Sequence, residues 1–187
     1  MDELARISTD AAEGDPLAAA ALVRATQSDV WRLCAALGDR GSADDLTQET
    51  YLRAFGALHR FEHRSSVRTW LLSIARRVCA DAVRSRRRRR LTLVRDDADL
   101  EGLAGTRDGD PVAEGAAVDD LLVRLDADRR EAFVLTQLLG LPYAEAAVVA
   151  GCPVGTIRSR VARARADLIG SIDGVDADDA EGDAARA

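Results

Sequence analysis

Two arginines and a serine in the C-terminal third of the chain have the types and the spacing needed to read DNA. Arg158, Ser159 and Arg163 fall on one stripe of a predicted helix, together with Gly155 and Ala162. Arginine can donate two hydrogen bonds to guanine, serine can donate or accept one, and glycine and alanine let the backbone approach the groove closely. The alternative is an ordinary amphipathic helix whose basic face is solvated.

The pattern around this stripe favours DNA reading, because it predicts two helices joined by a tight turn. Gly151 ends a short first helix by accepting the left-handed conformation without strain. Pro153 prevents that helix from continuing and begins the second one. A buried stripe with spacings of four, three and four is predicted on the second helix at Ile157, Val161, Ala164 and Leu168.

We therefore predict a helix-turn-helix motif from Tyr143 to Ala162. Arg160 and Arg165 flank the exposed stripe, so they suit contacts with the DNA backbone better than contacts with bases. The full set of residues predicted to bind DNA in this motif is Thr156, Arg158, Ser159, Arg160, Ala162, Arg163 and Arg165.

Composition limits the fold and the class of protein. The chain has 187 residues, 47% of them hydrophobic but only 4% aromatic, which favours small helical domains over a large sheet. The net charge of −6 argues against a surface covered in phosphate-binding charge, and the basic residues are instead clustered along the sequence. No signal peptide or long apolar run is present, so we expect a cytoplasmic protein without membrane insertion.

Sites for metals, cofactors or catalysis are not indicated by the sequence. Cys34, Cys79 and Cys152 are far apart and form no C-x-x-C pair, so we expect small core residues rather than disulfides or zinc ligands. His59 and His63 are four residues apart but lack a third ligand nearby. No nucleophile elbow and no phosphate-binding glycine loop occur, so we expect neither a cofactor nor enzymatic activity.

Helical periodicity extends over the whole folded part, so the predicted fold class is all-α. We expect two small helical domains joined by a flexible acidic linker, with a frayed segment before residue 16. The predicted bounds are 16–90 for the first domain, 91–112 for the linker, 113–170 for the helix-turn-helix domain and 171–187 for a disordered acidic tail.

Two stretches of the first domain could bind partners. The helix after Ser42 presents a polar face at Asp45, Gln48, Glu49 and Arg53, which on charge pattern alone is a solvated surface. The following loop, H-R-F-E-H-R-S-S, combines an aromatic ring with arginines and hydroxyls. Such a loop can stack on bases and reach phosphates of single-stranded DNA. The side chain of Trp70, just beyond it, is either a core anchor or a wedge against an unstacked base.

Four strings of the sequence resemble extracytoplasmic-function (ECF) sigma factors. Within that family, T-Q-L-L-G-L and the recognition helix resemble the actinobacterial SigC-like group. L-L-G-L-P-Y-A-E-A-A and C-P-V-G-T-I-R-S-R-V-A-R-A-R are similar to the C-terminal promoter-reading domain. D-D-L-T-Q-E-T-Y-L-R-A resembles the segment that docks on the β′ coiled coil of RNA polymerase, and S-S-V-R-T-W-L-L-S-I-A-R-R resembles the segment that recognises and melts the −10 promoter element. The resemblance covers Leu17 to Arg86 and Leu121 to Leu168, in the family's order.

The resemblance implies a bacterial transcription initiation factor. Its partners would be core RNA polymerase, through the β′ coiled coil and the β flap, and promoter DNA, both duplex and single-stranded. The resemblance leaves open whether an anti-sigma factor also binds the chain. Asp45, Gln48, Glu49 and Arg53 would dock on polymerase, and the helix-turn-helix would read the −35 element. The residues implied in −10 recognition are Phe61, His63, Arg64, Ser65, Arg68, Trp70, Arg76 and Arg77.

A stand-alone helix-turn-helix repressor or activator is the alternative function. Such a protein binds duplex DNA without polymerase and would account for the C-terminal module. It leaves the strings of the first domain unexplained, and no dimerisation or effector domain is evident in the sequence.

Overall fold

The computed structural model describes residues 3–38, 40–96 and 120–184, with side chains described except at 90–96 and 172–184. These residues form helices and turns without a strand, grouped into two units, Met1–Ala117 and Val118–Ala187. The predicted all-α fold with two helical domains is confirmed. Most of the predicted acidic linker, from residue 97 onward, lies outside the described residues. None of the described helices combines the length and the apolar character needed to cross a membrane.

The described residues of the first unit form four helices: α1 (Glu3–Ala12), α2 (Pro16–Leu37), α3 (Ala43–Ala57) and α4 (Val67–Asp96). Single 3₁₀ turns at Arg40–Ser42 and Leu58–Arg60 join the helices on either side of α3. Helix α2 begins with proline at its first position, and the Asp15 carboxylate accepts the Leu17 N–H at 2.8 Å. This cap satisfies one of the free donors at the start of the helix.

Helix α1 corrects the prediction of a frayed start, because residues 3–12 are helical and pack against α2. Ser8 is buried there, and its hydroxyl donates to the Ala5 carbonyl at 2.8 Å. A signal was available, because Leu4, Ile7 and Ala11 fall at spacings of three and four, on one face of a helix. A helix of 10 residues is stabilised mainly by tertiary packing rather than by its own propensity.

The core of the first unit lies where α2, α3 and α4 meet. Two of its hydroxyl groups pair with each other: the Thr26 and Tyr51 hydroxyls lie 2.7 Å apart, and Thr26 also donates to the Leu22 carbonyl. The largest fully buried apolar side chains of this core are Leu22, Val30, Leu33, Leu71 and Leu72.

Two of the three cysteines lie in this core. Cys34 on α2 and Cys79 on α4 are 0% and 1% exposed, which confirms their prediction as core residues. The hydrogen bond to Cys34, together with burial, raises the pKa of the Cys79 thiol. Cys152, in the second unit, is only half-buried.

Thiol labelling of the native protein should therefore resolve the cysteines into two classes. We expect Cys152 to react rapidly at neutral pH, and Cys34 and Cys79 to react more than about 100-fold more slowly, since their reaction requires the core to open. A timed alkylation followed by peptide mass spectrometry measures each rate. Equal rates at all three positions would contradict the buried placement of Cys34 and Cys79.

The described part of the second unit starts with a helical turn at 120–124. It continues as α5 (Ala127–Phe133), a π turn (Val134–Leu138), α6 (Tyr143–Ala150) and α7 (Val154–Ala184). The Asp126 carboxylate accepts the Asp128 N–H at 3.0 Å and caps α5. Gly140 has a φ of +66° at the end of the π turn, which favours glycine at this position. Helices α5 and α6 both pack against α7.

Two helices run past the predicted domain ends. Helix α4 continues to Asp96, beyond the predicted boundary at residue 90, and α7 continues to Ala184, where the sequence predicted a disordered tail from residue 171. Extending an existing helix requires no new nucleation, so polar and charged residues can follow a packed segment in helical form.

Candidate nucleic-acid and protein interfaces

The turn between α6 and α7 has the geometry of the predicted helix-turn-helix. Gly151 adopts φ 65° and ψ 37°, and the Cys152 N–H donates to the Ala147 carbonyl at 3.1 Å. Pro153 follows, and α7 begins at the next residue. Ile157, Val161 and Ala164 are buried as predicted, so the opposite face of α7 is directed outward.

That outward face carries the residues predicted to read bases. Arg158, Ser159, Ala162 and Arg163 are exposed, whereas Thr156 is half-buried. Among the described residues, Arg158 and Arg163 form no ion pair, so their guanidinium groups are available to a ligand. The Ser159 hydroxyl donates to the Thr156 carbonyl at 3.0 Å and keeps its acceptor capacity.

The two arginines predicted to contact the DNA backbone each have a partner within the unit. Arg160 forms an ion pair with Asp128 of α5, and its second guanidinium nitrogen lies 3.7 Å from Cys152 Sγ. Arg165 donates to the Gln137 side chain at 2.7 Å. Sequence reasoning missed Asp128 and Gln137, because they lie 32 and 28 residues away from their partners along the chain.

An aromatic cluster forms at the loop before α4. The Phe61 ring lies 4.5 Å from the His63 ring and 4.7 Å from the Trp70 ring, measured between centroids. Phe61 and Trp70 are half-buried, and His63 is exposed with a φ of 53°, in the left-handed region. A shallow depression of about 220 Å³ next to the cluster is lined by Arg60, Phe61, Glu62, Arg64, Ser65 and Trp70.

The remaining residues predicted to bind the −10 element differ in how accessible they are. Arg64 pairs with Glu62 in the loop, and Arg68 pairs with Asp29 of α2 at 2.6 Å, with both side chains of this second pair mostly covered. Ser65 is half-buried, Arg76 is half-buried and Arg77 is exposed. Arg68 therefore connects α4 to α2, a role that the sequence did not suggest.

Ser66 organises the start of α4, and sequence reasoning overlooked it. Its hydroxyl oxygen accepts the Thr69 N–H at 3.1 Å and lies 2.8 Å from the Thr69 hydroxyl. A serine three residues before a threonine at a helix start was an available signal, because such side chains cap free N–H groups. The cap fixes where the aromatic loop ends and where α4 begins.

The predicted polymerase-binding residues share a face of α3 but have different surroundings. Asp45 and Gln48 are exposed and Glu49 is half-buried. Arg53 donates to Glu49 at 2.7 Å and to Asp81 of α4 at 2.9 Å. The hydrogen bond to Asp81 and then that to Glu49 raise the pKa of Arg53, so the guanidinium stays charged and holds α3 to α4.

An apolar residue on the same face was missed by the sequence reasoning. Leu52 is 70% exposed and lies one turn beyond Gln48 and Glu49. Helix spacing offered a signal, because Leu52 falls outside the buried stripe that contains Leu46, Thr50 and Ala54. A single exposed leucine is common on protein surfaces, so only its position among exposed polar residues makes it a candidate contact.

Comparisons with known proteins identify both units. The model for sigma-70 region 2 matches residues 22–89, and the model for sigma-70 region 4 matches residues 115–168. The ECF RNA polymerase sigma factor SigC of Mycobacterium tuberculosis is 53% identical over 165 residues, which cover 87% of this chain and 88% of that protein.

Two solved structures have a similar helical fold. CnrH, in complex with the cytosolic domain of CnrY, is similar with a TM-score of 0.70 and 29% identity, over 92% of this chain and 99% of that chain. The sigma factor RpoE of Bartonella quintana, in complex with the anti-sigma factor NepR, has a TM-score of 0.60 and 29% identity over 78% of this chain and 91% of that chain. The chain therefore belongs to the sigma-70 family of RNA polymerase sigma factors, in its extracytoplasmic-function group.

Proposed function

We propose that the chain initiates transcription by binding core RNA polymerase and directing it to promoters through their −10 and −35 elements. The observation that carries the proposal is the presence of a sigma-70 region 2 and a sigma-70 region 4 in one chain, each with an exposed candidate interface. It acts where polymerase meets the chromosome, in the cytoplasm, and it supplies recognition rather than catalysis.

The polymerase contact proposed for the first unit is the exposed face of α3. Asp45, Gln48 and Glu49 provide polar groups for the β′ coiled coil, and Leu52 adds an apolar contact at the same face. The ties from Arg53 to Glu49 and Asp81 keep this face in a fixed orientation relative to α4. A docking surface held in place before binding loses less conformational entropy when it binds. For the second unit, the proposed contact is the β flap.

The aromatic cluster is proposed to receive bases of the opened −10 strand. Phe61 and Trp70 provide stacking faces, and the depression beside them is bordered by Arg60 and Arg64, which can pair with phosphates. Arg77 is exposed and forms no ion pair with any residue that the structure describes, so it is the next available cation on α4.

Replacing Phe61 by leucine should slow opening of the promoter, whereas replacement by tyrosine should preserve it. Stacking of one base on an aromatic ring contributes about 1–3 kcal/mol, and leucine keeps apolar volume but not the ring. Open-complex formation on normal and pre-melted promoters measures the effect. If the leucine variant opens both as the wild type does, Phe61 is a core residue without a role in strand capture.

An anti-sigma factor is proposed as a further partner. CnrH was solved in complex with the cytosolic domain of CnrY, and the Bartonella quintana RpoE in complex with the anti-sigma factor NepR. The identity of such a partner for this chain would be sought by purification from its own cells.

The sigma-factor function and the repressor alternative predict opposite behaviour of the free chain. The net charge is −6, and Arg64, Arg68 and Arg160 are each paired with a carboxylate of the same chain, so the free chain should bind duplex DNA weakly. Fluorescence anisotropy with a promoter duplex should show tight, selective binding only when core polymerase is present. Tight sequence-specific binding by the chain alone would favour the repressor.

A further inference from the structure

We propose that Arg160 is a positioning residue for promoter reading, and that a double ion-pair clamp between α5 and α7 sets the tilt of the recognition helix. The clamp consists of Asp128 with Arg160 and of Arg129 with Asp167. This inference rests on the proposed function, because it explains how the −35 reading face is aimed. It also reverses the sequence-based prediction that Arg160 contacts the DNA backbone.

The two pairs hold α7 at two separate points. Asp128 and Arg129 are consecutive residues in the first turn of α5, whereas Arg160 and Asp167 are seven residues apart on α7. Seven residues span about 10.5 Å of helix. Val161 and Ala164 are buried between the two points. One contact would fix only a distance, but two contacts two turns apart also fix the angle between the helices.

The charges of the clamp select one arrangement of the helices. On α5 the acid comes before the base, and on α7 the base comes before the acid. Displacing α7 so that Asp167 approached Asp128 would place like charges together, which is unfavourable. The clamp therefore opposes other angles as well as supporting the observed one.

Helix α5 is itself held at its start, so it is a suitable reference for positioning α7. Asp126 caps the helix, and the Arg130 guanidinium donates to the carbonyls of Val123 and Leu125 at 2.9 and 3.1 Å. Arg130 thus ties the first turn of α5 to the preceding helical turn. These hydrogen bonds restrict the backbone of the segment that carries the Asp128 carboxylate.

The surroundings of Arg160 separate it from the arginines that read bases. Its side chain is 22% exposed and reaches both Asp128 and Cys152 in the turn before α7. Arg158 and Arg163 are exposed and, within the described residues, form no ion pair. A phosphate would have to compete with Asp128 for the guanidinium group. Its existing partners instead connect α5, the turn and α7.

The two roles predict opposite effects for the change Asp128→Asn. If Arg160 contacts a phosphate, removing the competing carboxylate frees it, and DNA binding should become tighter. If Arg160 positions α7, the same change loosens the clamp, and binding to the cognate −35 element should weaken. Non-cognate DNA, which is bound through phosphates alone, should be unaffected in the second case.

The test measures holoenzyme binding to promoters with the cognate −35 element and with a scrambled one, over a series of salt concentrations. We expect Asp128→Asn, Arg160→Ala and Asp167→Asn each to weaken cognate binding by about tenfold, the scale of one lost base contact, with the salt slope unchanged. Exchanging the charges in the double variant Asp128→Arg, Arg160→Asp should restore most of the selectivity. Arg124→Ala, at an exposed arginine without an ion pair among the described residues, is the matched control.

Three outcomes would overturn the inference. In the first, the Asp128→Asn holoenzyme binds the cognate promoter as tightly as the wild type, or more tightly. In the second, Arg160→Ala weakens binding to both promoters alike and reduces the salt slope by about 0.9, the value for one phosphate. The charge exchange could also fail to recover selectivity although thermal unfolding shows a folded variant. If the wild-type holoenzyme itself does not distinguish the two promoters, the proposed function is wrong as well. If the wild type distinguishes them and one of the three outcomes above occurs, only the inference about the clamp is wrong.

Discussion

Alanine in place of Leu52 should weaken binding of the chain to core RNA polymerase by about tenfold or more. Leu52 is 70% exposed in the free chain, so an interface that covers it removes most of its side chain from water. Burial of a leucine side chain contributes about 1.5–3 kcal/mol, and each 1.4 kcal/mol, roughly, is a factor of ten in affinity. The folded chain should lose little stability, because the side chain packs against little before binding.

Leu17 provides the matched control for this prediction. It is 77% exposed on a different helix, α2, and is not among the predicted docking residues, so Leu17→Ala should leave polymerase binding unchanged. Replacing Asp45, Gln48 and Glu49 together by alanine should weaken binding as Leu52→Ala does, while Arg53 keeps its tie to Asp81. Equal affinities for the Leu17 and Leu52 variants would show that this face of α3 does not meet polymerase.

Arg158→Ala should reduce affinity for the cognate −35 element by about 1–3 kcal/mol and relax the preference at one base pair. Arg158 is exposed in the first turns of α7, where a recognition helix usually meets base edges. Its guanidinium forms no ion pair with any described residue, so no internal contact must break before it binds guanine. Selection of binding sites by the holoenzyme measures the base preference.

Arg165→Ala is the comparison for the Arg158 variant. Arg165 donates to Gln137 at the edge of the reading face, and we expect it to contact the DNA backbone when DNA is bound. Loss of the Arg165 side chain should weaken binding to all DNA sequences alike and reduce the salt slope by about 0.9. If Arg158→Ala keeps the wild-type preference at every base pair, the assignment of the reading face is wrong.

Features encoded by neighbouring residues could be predicted from the sequence. Gly151 and Pro153 mark the turn between α6 and α7 by their own backbone preferences, and the stripe from Ile157 to Ala164 follows from helical spacing. The order of the two units and the family followed from strings that are continuous in the sequence. In each case, the information lies within one or two helical turns.

Contacts between distant residues could not be predicted in this way. Arg68 and Asp29 are 39 residues apart, and nothing in either neighbourhood indicates the other. The resemblance implied a DNA contact for Arg68 and helical spacing suggested one for Arg160, and neither indicated the carboxylate partner that the fold gives each arginine. The π turn after α5 and the docking of α1 on α2 likewise depend on tertiary packing rather than on local preference.

Transcription in vitro with core RNA polymerase and a library of genomic fragments tests the central claim most directly. With the wild-type chain, we expect transcripts to start at a limited set of fragments that share sequence motifs at the −10 and −35 positions. Neither core polymerase alone nor the Leu52→Ala variant at limiting concentration should produce that set. If the wild-type chain yields no new start sites, yet binds particular duplex fragments tightly without polymerase, the chain does not act as a sigma factor.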